Sequence, residues 1–381
     1  MGPSLLELLA ELPEPRDPRR IRYPLVPVLT LCLVAALAGF TSLTAISQFG
    51  RLRKHRLAHA LGFKRGTIPA ASTLSDLFRD LDAEHLDQLI GRWLASRHDS
   101  GWEVINLDGK TACGSRDGEV PGTHLLAAYA PQASAVIAQL RVDAKTNEHK
   151  AALRLLGILP PLVGTVVTAD AMFTHADVCE AVLEAQGEYV LYAKKNQPQL
   201  RDDLEATFAA AESGPFPPYQ QRQWDKDVQT ARTEGKGHGR IEVRTITTTT
   251  WLNEYLDWPQ VGQVFRLERK RRVKGKTTIE VVYGVTSLSR MEADAVWLLA
   301  LTRLHWSIEN GLHYVRDVTL GEDRCRVRKG NAPQVLASVR NVAVYLLNRM
   351  DAPSIAAATR EIAACPEKTI PWLHHPNSTS E

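Results

Sequence analysis

A chain of 381 residues with 44% hydrophobic and 23% charged residues excludes wholesale disorder and a multi-span membrane protein. Its length predicts two domains, one of them enlarged by an insertion. The net charge of +3 does not by itself indicate nucleic-acid binding, but the positive charge is clustered. The basic clusters lie at residues 16–22, 51–56, 269–276 and 324–329. Any one of them can be a solvated face, whereas four together favour a polyanionic partner.

The cysteines and the chain start bear on the cellular compartment. Five cysteines are scattered without C-x-x-C spacing, which indicates neither a disulfide framework nor a structural zinc site. The start is acidic and broken by prolines, unlike a signal peptide. We therefore expect a cytoplasmic protein. The apolar run at 25–40 contains Pro27 and Thr30 and is shorter than a span of about 20 residues, so it predicts a buried helix and no membrane partner.

Residues 1–98 predict a small all-helical domain. Residues 1–20 hold several prolines and are expected to form an irregular arm. From residue 25 to 97, apolar residues recur at intervals of three and four, and Ser72 opens an amphipathic helix that follows the basic residues 51–56. This arrangement is compatible with a helix-turn-helix, but a plain helical bundle is the simpler interpretation.

Beyond Ser100 the pattern becomes that of an α/β domain. The order strand, strand, strand, helix, strand, helix, strand, helix predicts a meander followed by two right-handed crossovers, which gives a mixed sheet flanked by helices. Asn147 is expected to cap the first helix, and Thr174 with Asp177 to form a capping box on the second. The strands are predicted at 103–109, 124–130, 135–142, 164–169 and 188–193, and the helices at 147–159, 174–187 and 198–211.

A β-rich segment follows at 213–288. Strands are predicted at 241–250, 263–273 and 277–288, the last two joined by a turn at Lys274 and Gly275. Helices resume at Met291, and a later helix is predicted at 333–350. The predicted limits are therefore a core at 99–212 and 289–350, an insertion at 213–288, and a C-terminal helix and tail at 351–381.

Two of the predicted strands end on an aspartate. Asp108 closes the first, and Asp170 closes the strand at 164–169. Parallel neighbours end at the same edge of a sheet, so these carboxylates are expected to face each other. A lone Asp before Gly is more often a turn. The pair together with Glu309 instead favours a divalent-metal site, because Mg²⁺ takes oxygen ligands and keeps waters for substrate phosphates.

The segment that carries Glu309 supports this interpretation by its spacing. Thr302, His305, Glu309 and Arg316 are separated by three, four and seven residues, so they are expected on one face of a helix. Such a face suits phosphate binding beside a metal. One alternative is that His305, Glu309 and His313 form solvent-facing pairs. Another is that these three bind zinc, although H-E-x-x-H is absent.

Motifs distributed along the chain strengthen the interpretation. They are Y-P-L at 23–25, S-T-L at 72–74, L-D-G-K at 107–110, T-N-E-H-K at 146–150, T-A-D-A-M at 168–172, A-K-K-N-Q at 193–197, G-H-G-R-I-E-V-R at 237–244, H-W-S-I-E-N at 305–310 and G-E-D-R at 321–324. Over nearly its whole length the sequence resembles the DDE transposases of bacterial insertion sequences, in the H-repeat-associated (ISAs-type) subgroup. The resemblance implies an RNase H-like core with a β-strand insertion, and a helical N-terminal domain that binds DNA ends.

Site residues follow from the resemblance position by position. Asp108, Asp170 and Glu309 match the catalytic acids, which implies two Mg²⁺ ions with Mn²⁺ as a substitute. Related transposases carry Tyr, Arg, Glu and Lys where this chain has Thr302, His305, Glu309 and Arg316, so Glu309 alone is unchanged. The residues predicted to contact DNA or phosphate are Lys110, Lys194, Lys195, His238, Arg240, Arg269, Arg271, Arg272, Lys276, His305 and Arg316.

The implied activity is metal-dependent phosphoryl transfer, with cleavage of insertion-sequence ends followed by attack of the 3′-hydroxyl on target DNA. The implied partners are double-stranded DNA, as terminal inverted repeats and as target, and further copies of the chain when ends are synapsed. The protein would then be associated with the nucleoid. Two alternatives stay open: a nuclease that cuts without joining, and a catalytically dead relic that binds DNA.

Overall fold

The computed structural model describes residues 2–98, 101–142, 147–213, 217–237 and 239–374. The helices are α1 (Leu5–Leu9), α2 (Leu25–Leu37), α3 (Leu43–Leu52), α4 (Lys54–Leu57), α5 (Ala71–Asp80), α6 (Ala83–Ala95), α7 (Glu148–Ile158), α8 (Ala176–Glu184), α9 (Pro198–Ser213), α10 (Pro218–Asp227), α11 (Ala295–Leu304), α12 (Ala332–Leu347), α13 (Ile355–Ala364) and α14 (Ile370–His374). The strands are β1 (Val104–Thr111), β2 (His124–Ala130), β3 (Ala135–Val142), β4 (Val166–Ala169), β5 (Glu188–Ala193), β6 (Gln229–Gly237), β7 (Arg240–Thr249), β8 (Gln263–Val273) and β9 (Lys276–Thr286).

Internal contacts divide the chain into two units. The first unit comprises Met1–Gly101, Gly109–Thr146 and Ser307–Glu381, and the second comprises Trp102–Asp108 and Asn147–Trp306. The boundary after Asp108 falls inside β1, so most of that strand belongs to the second unit. The domain limits given by the sequence stay predictions.

The second unit contains a mixed sheet with the strand order β1-β4-β5-β9-β8-β7-β6. Strands β1, β4 and β5 are parallel, whereas β5 pairs with β9 in the antiparallel sense. Every residue of β4 is buried, as expected of a parallel strand covered on both faces. The predicted mixed α/β class is confirmed. Several strands also have the predicted bounds, among them β2, β3, β5 and β8.

The core of the second unit joins this sheet to α11. Val104, Val166 and Val190 come from the three parallel strands and share one buried cluster with Phe265 of β8 and Leu298 of α11. Alternate residues of a strand point to one face, so the β-branched side chains of neighbouring strands meet beneath the helix. The apolar face of α11 is thereby fixed against the sheet.

The first unit is mainly helical. Its described residues before 99 form helices and turns and contain no strand. Helix α2, Leu25–Leu37, is buried around almost its whole circumference and packs against α12. This confirms the buried helix predicted for the apolar run. No helix of the described ranges is long and apolar enough to cross a membrane.

One capping prediction was wrong, and one strand was not predicted. Helix α8 begins at Ala176 with His175 at its N-cap and no side-chain cap. Thr174 forms no capping box because its hydroxyl donates instead to the Tyr192 carbonyl, at 2.7 Å. Strand β6 was missed because it is mostly exposed and polar, so it lacks the apolar alternation that marks a strand. Residues 375–381 of the predicted tail lie outside the described residues.

Glu322 is the centre of a buried ion-pair network in the first unit. Its carboxylate accepts from Arg316 Nε and Nη2, both at 2.8 Å, and from Arg340 Nη1 at 3.2 Å. Asn341 accepts a further hydrogen bond from Arg316 at 3.2 Å. Burial alone would raise the pKa of Glu322, but the two guanidiniums outweigh it and lower the pKa to about 2. The acid therefore stays charged at neutral pH.

This network corrects the phosphate contact predicted for Arg316. Arg316 is 1% exposed, and its planar fork is already matched to a carboxylate. A guanidinium held in this way does not present its donors to DNA. We therefore assign Arg316 to the stability of the first unit.

Replacing Glu322 with Gln should be strongly destabilising. The amide keeps the shape but leaves Arg316 and Arg340 buried without a counter-charge, which costs about 3–5 kcal/mol. Urea unfolding followed by circular dichroism measures the loss. The matched control is Glu234→Gln, whose exposed pair with Arg232 at 3.3 Å should change the unfolding free energy by less than about 0.5 kcal/mol. Equal effects from the two variants would contradict a stabilising network.

Candidate active site

Asp108 and Asp170 follow directly after a pair of hydrogen-bonded neighbours. Leu107 of β1 pairs with Ala169 of β4 in parallel register, and each aspartate is the next residue along its chain. Both aspartates are half-buried. The predicted parallel pairing of these two strands is thus confirmed. Asp170 follows the end of β4, whereas β1 continues to Thr111, so the prediction that Asp108 ends its strand was wrong.

Asp170 is held as a carboxylate by its neighbours. Lys194 Nζ donates to Asp170 Oδ1 at 2.9 Å. Burial alone would raise the pKa of Asp170, but the hydrogen bonds from Lys194 and from the Ala171 backbone outweigh it and bring the pKa below its ordinary value. The group is therefore ionised at neutral pH, which is the state that a metal ligand requires.

A buried hydrogen-bonded pair lies two residues before the aspartates, on the same face of the sheet. It consists of Asn106 and Thr168, and we call it the polar bridge. Asn106 and Thr168 are 0% and 1% exposed, and they pair across β1 and β4 with Thr168 Oγ1 donating to Asn106 Oδ1 at 2.8 Å. Asn106 Nδ2 donates to the carbonyls of Leu304 at 2.7 Å and His305 at 3.3 Å. Residues two apart on a strand share a face, so the face that carries Asp108 also anchors the end of α11.

His305 does not provide the phosphate contact that was predicted. Its Nδ1 lies 3.2 Å from Thr168 Oγ1, and its ring packs edge-on against Tyr192 at 6.0 Å. Burial is the main cause that lowers its pKa to about 4, so the imidazole is neutral at physiological pH. A buried neutral ring fixes the end of α11 against the sheet and does not attract a polyanion. Thr302 is likewise buried, with its hydroxyl bonded to the Leu299 carbonyl at 2.8 Å.

Glu309 does not lie on a regular α-helix. Helix α11 ends at Leu304, and the chain then winds as π-helix over Glu309–His313 and again over Val315–Thr319. The shared helix face predicted for Thr302, His305, Glu309 and Arg316 was therefore wrong, because that spacing assumes 3.6 residues per turn. The Glu309 side chain is 53% exposed, whereas the other three residues are buried. Short π-helical stretches occur frequently at functional sites.

Within the first unit, Glu309 lies beside a buried histidine. His313 Nδ1 is 3.5 Å from Glu309 Oε2. Burial is the main cause that lowers the pKa of His313 to about 3, and Arg316 lowers it further. The imidazole is therefore neutral at physiological pH.

The A-K-K-N-Q motif holds the turn that follows Asp170. Asn196 Nδ2 donates to the Ala171 carbonyl at 2.6 Å, and Gln197 Nε2 donates to the Thr174 carbonyl at 2.9 Å. With the Lys194 contact, three of the five motif residues are directed at Asp170 or at the backbone after it. Sequence reasoning found the motif but missed the positioning roles of Asn196 and Gln197.

Besides Lys194, His305 and Arg316, two further predicted DNA contacts are engaged within the protein. Lys110 Nζ pairs with Asp317 at 2.6 Å, and its side chain is 12% exposed. The Arg269 guanidinium lies 5.8 Å from the Tyr192 ring centroid and 5.1 Å from that of Trp306. Neither side chain is presented freely to solvent, which disfavours the predicted phosphate contact for both.

The other predicted contacts have different surroundings. Lys195 of A-K-K-N-Q is exposed, as are Arg271, Arg272 and Lys276 at the end of the β8-β9 hairpin. Arg240 lines a groove in the second unit together with Lys236, Arg244 and Arg303. Arg303 was missed by sequence reasoning because it lies on an amphipathic helix outside every basic cluster. His238 lies outside the described residues.

Comparison with known proteins decides the family. Residues 95–347 match the family described as "Transposase DDE domain", and residues 6–94 match the one described as "DDE_Tnp_1-associated". The chain belongs to the DDE transposase family. The resemblance drawn from its motifs is thus confirmed, and the chain is a DNA transposase. Enzymes of this family use divalent metal ions, and the acidic side chains described above are suitable ligands.

Relatives of this transposase align over most of its length. "Putative transposase YncI" from Escherichia coli O157:H7 is 27% identical over 350 residues, spanning 90% of this chain and 87% of that protein. "H repeat-associated putative transposase YhhI" from Escherichia coli K12 is 26% identical over 355 residues and 90% of each chain. Among solved structures, the piggyBac transposase synaptic complex with hairpin DNA aligns over 98% of this chain and 77% of that chain, with 10% identity and a TM-score of 0.44.

The polar bridge behind the aspartates can be tested by a double-mutant cycle. Asn106→Leu should lower the unfolding free energy of the transposase by about 1–3 kcal/mol, because it removes the buried amide that donates to the carbonyls of Leu304 and His305. Thr168→Val should lower the unfolding free energy by less, because it removes a single hydroxyl. Since the two side chains bond to each other, the double variant should depart from additivity by at least about 0.5 kcal/mol. Additive losses in urea unfolding would show that the bridge is not a unit.

Proposed function

We propose that this transposase cleaves insertion-sequence ends and joins their 3′ ends to target DNA, with Asp108, Asp170 and Glu309 as its catalytic acids. The observation that supports the proposal is the parallel register of Leu107 on Ala169, since Asp108 and Asp170 are the next residues on these two neighbouring strands. Membership of the DDE family supplies the reaction class. The exposed carboxylate of Glu309, on its π-helical turn, supplies the third acid.

The residues fit a divalent cation. Carboxylate oxygens are hard ligands, and Mg²⁺ is bound by a few carboxylates together with substrate phosphates. We propose that the three acids hold two Mg²⁺ ions, for which Mn²⁺ substitutes. When bound, such ions supply Lewis-acid stabilisation and activate the attacking water or 3′-hydroxyl.

Lys194 has a specific part in this proposal. Its side chain is 49% exposed and contacts Asp170, so it compensates the charge of that acid when no cation is near. A cation at Asp170 would repel the ammonium group, which is free to turn toward a phosphate oxygen of the DNA. In this way Lys194 keeps the predicted phosphate contact. Asn196 and Gln197 would meanwhile hold the turn after Asp170 in place.

Two basic surfaces of the second unit are proposed to bind double-stranded DNA. One is the tip of the β8-β9 hairpin, and the other is the groove lined by Lys236, Arg240 and Arg303. Side chains of this kind neutralise phosphates and release counterions, which makes affinity strongly salt-dependent. The helical domain predicted at residues 1–98 is proposed to recognise the ends. Joining two ends in one event requires more than one protomer, so we propose that the protein oligomerises on its DNA.

Charge-removing variants of the acids test the proposed site. Asp108→Asn and Asp170→Asn should each slow end cleavage on the order of 10³-fold, because several kcal/mol of transition-state stabilisation is lost with the metal. End binding should stay within about twofold of the parent, since the amide keeps the volume and affinity is dominated by phosphate contacts. Glu309→Gln should likewise slow end cleavage without changing end binding, and its cleavage should recover partly in Mn²⁺.

The matched control is Asp202→Asn, at an exposed position of α9, which should leave both cleavage and binding unchanged. Gel-based cleavage of labelled end DNA and fluorescence anisotropy give the two readouts separately. Normal cleavage by Asp108→Asn or Asp170→Asn would overturn the assignment of the site.

The hairpin surface predicts a change in salt dependence. Replacing Arg271, Arg272 and Lys276 with Ala should flatten the slope of log affinity against log salt by about one per lost contact, equally for specific and unrelated DNA. Lys226→Ala is the control, since this exposed lysine lies on α10 outside both surfaces. An unchanged slope in the triple variant would place these three side chains in solvent.

A further inference from the structure

A cluster of possible metal ligands lies in the second unit and is separate from the acids assigned above. It consists of His149, His175 and Asp177, whose ligand atoms all lie within 4.8 Å of one another. His149 Nε2 is 2.7 Å from Asp177 Oδ1 and 2.8 Å from Oδ2. The two imidazole rings are stacked, with centroids 4.0 Å apart and an interplanar angle of 16°. We call these three residues the His-Asp cluster.

The fold holds each member on a defined element. His149 is the second residue of α7, His175 is the N-cap of α8, and Asp177 is the second residue of α8. Helices α7 and α8 pack against each other. The backbone just before His175 is fixed by the hydrogen bond from Gln197 to the Thr174 carbonyl. Ligands carried on rigid elements need little rearrangement to bind an ion.

The donor set differs in kind from that of the catalytic acids. Two imidazole nitrogens and one carboxylate suit zinc and related first-row transition ions, and they leave a position for water. Mg²⁺ prefers oxygen ligands and is therefore disfavoured here. The two histidines are half-buried and Asp177 is exposed, so the cluster is open to an ion from solvent.

The surroundings of His175 also suit a ligand. Burial, followed by the nearby His149, lowers the pKa of His175 below its ordinary value. A hydrogen bond with the Met172 backbone acts on the same ring. Contacts of this type orient a metal-binding imidazole and fix which nitrogen faces the ion.

We propose that the His-Asp cluster binds one divalent transition ion of the zinc class. The ion would join the start of α7 to the start of α8, and α8 follows the turn that begins at Asp170. Its role would be to hold this turn, and it would not take part in phosphoryl transfer. The inference does not rest on the proposed function, because the cluster shares no residue with the catalytic acids.

Zinc binding by the full chain tests the proposal. Metal-free protein carrying Asp108→Asn is titrated with Zn²⁺ in excess Mg²⁺ by isothermal calorimetry, so that zinc at the catalytic acids does not contribute. We expect one Zn²⁺ per chain. His149→Ala or His175→Ala should weaken zinc binding by at least about 10- to 100-fold, because removal of a contact that merely orients a ligand already lowers metal affinity by that factor. His55→Ala, at an exposed histidine of α4, is the matched control and should bind as the parent.

A milder variant separates loss of zinc binding from loss of the fold. Asp177→Asn keeps a hydrogen-bond acceptor for His149 but removes the charge, and circular dichroism verifies its fold. Zn²⁺ should raise the melting temperature of the parent and of His55→Ala, because a ligand that binds the folded state stabilises it. That rise should be reduced in Asp177→Asn. Undiminished zinc binding in the His-Asp variants, or no zinc binding by the parent, would show that the cluster is an ordinary hydrogen-bonded group and overturn the proposal.

Discussion

The register of β1 on β4 is the constraint on which the candidate site depends. Asn106 pairs with Thr168 inside the sheet, and two residues later the same strands deliver Asp108 and Asp170. A slip of one residue would turn every side chain to the other face and separate the polar bridge from the carboxylates. Since the bridge also holds the carbonyls that end α11, one pair of buried polar residues fixes both the acids and the helix above them.

Basic side chains have two kinds of surroundings in this protein, buried among protein partners or exposed to solvent. Arg316 and Arg340 surround Glu322 in the interior of the first unit, where removing one partner leaves a buried charge uncompensated. Arg269 lies between aromatic rings in the second unit. The hairpin tip, by contrast, carries Arg272 and Lys276 in solvent. Sequence composition cannot separate buried arginines from exposed basic side chains, because it does not show whether the partner of a basic residue is Glu322 or a phosphate.

How much the sequence could predict depended on whether the signal was local. Apolar runs gave β5 and β8 at their observed bounds, and the parallel order brought Asp108 beside Asp170. The π-helical winding at Glu309 was not predictable, since it leaves no periodic pattern and a 3.6-residue face was assumed. The burial of His305 was missed because its contacts are with Thr168 and Tyr192, which lie far from it in the sequence. The partner of Arg316, Glu322, lies in the G-E-D-R motif, but only the fold shows that these two residues meet.

A strand-transfer assay distinguishes a transposase with these catalytic acids from a nuclease and from a DNA-binding relic. A pre-cut end DNA bearing a 3′-hydroxyl, and a matched end lacking it, are incubated with the full chain, target plasmid and Mg²⁺. Joined products are expected from the hydroxyl end alone, and none with Asp170→Asn. Target cutting without joining would instead identify a nuclease. Retarded but unreacted DNA would identify a binding protein without catalysis, and either result would rule out strand transfer by Asp108, Asp170 and Glu309.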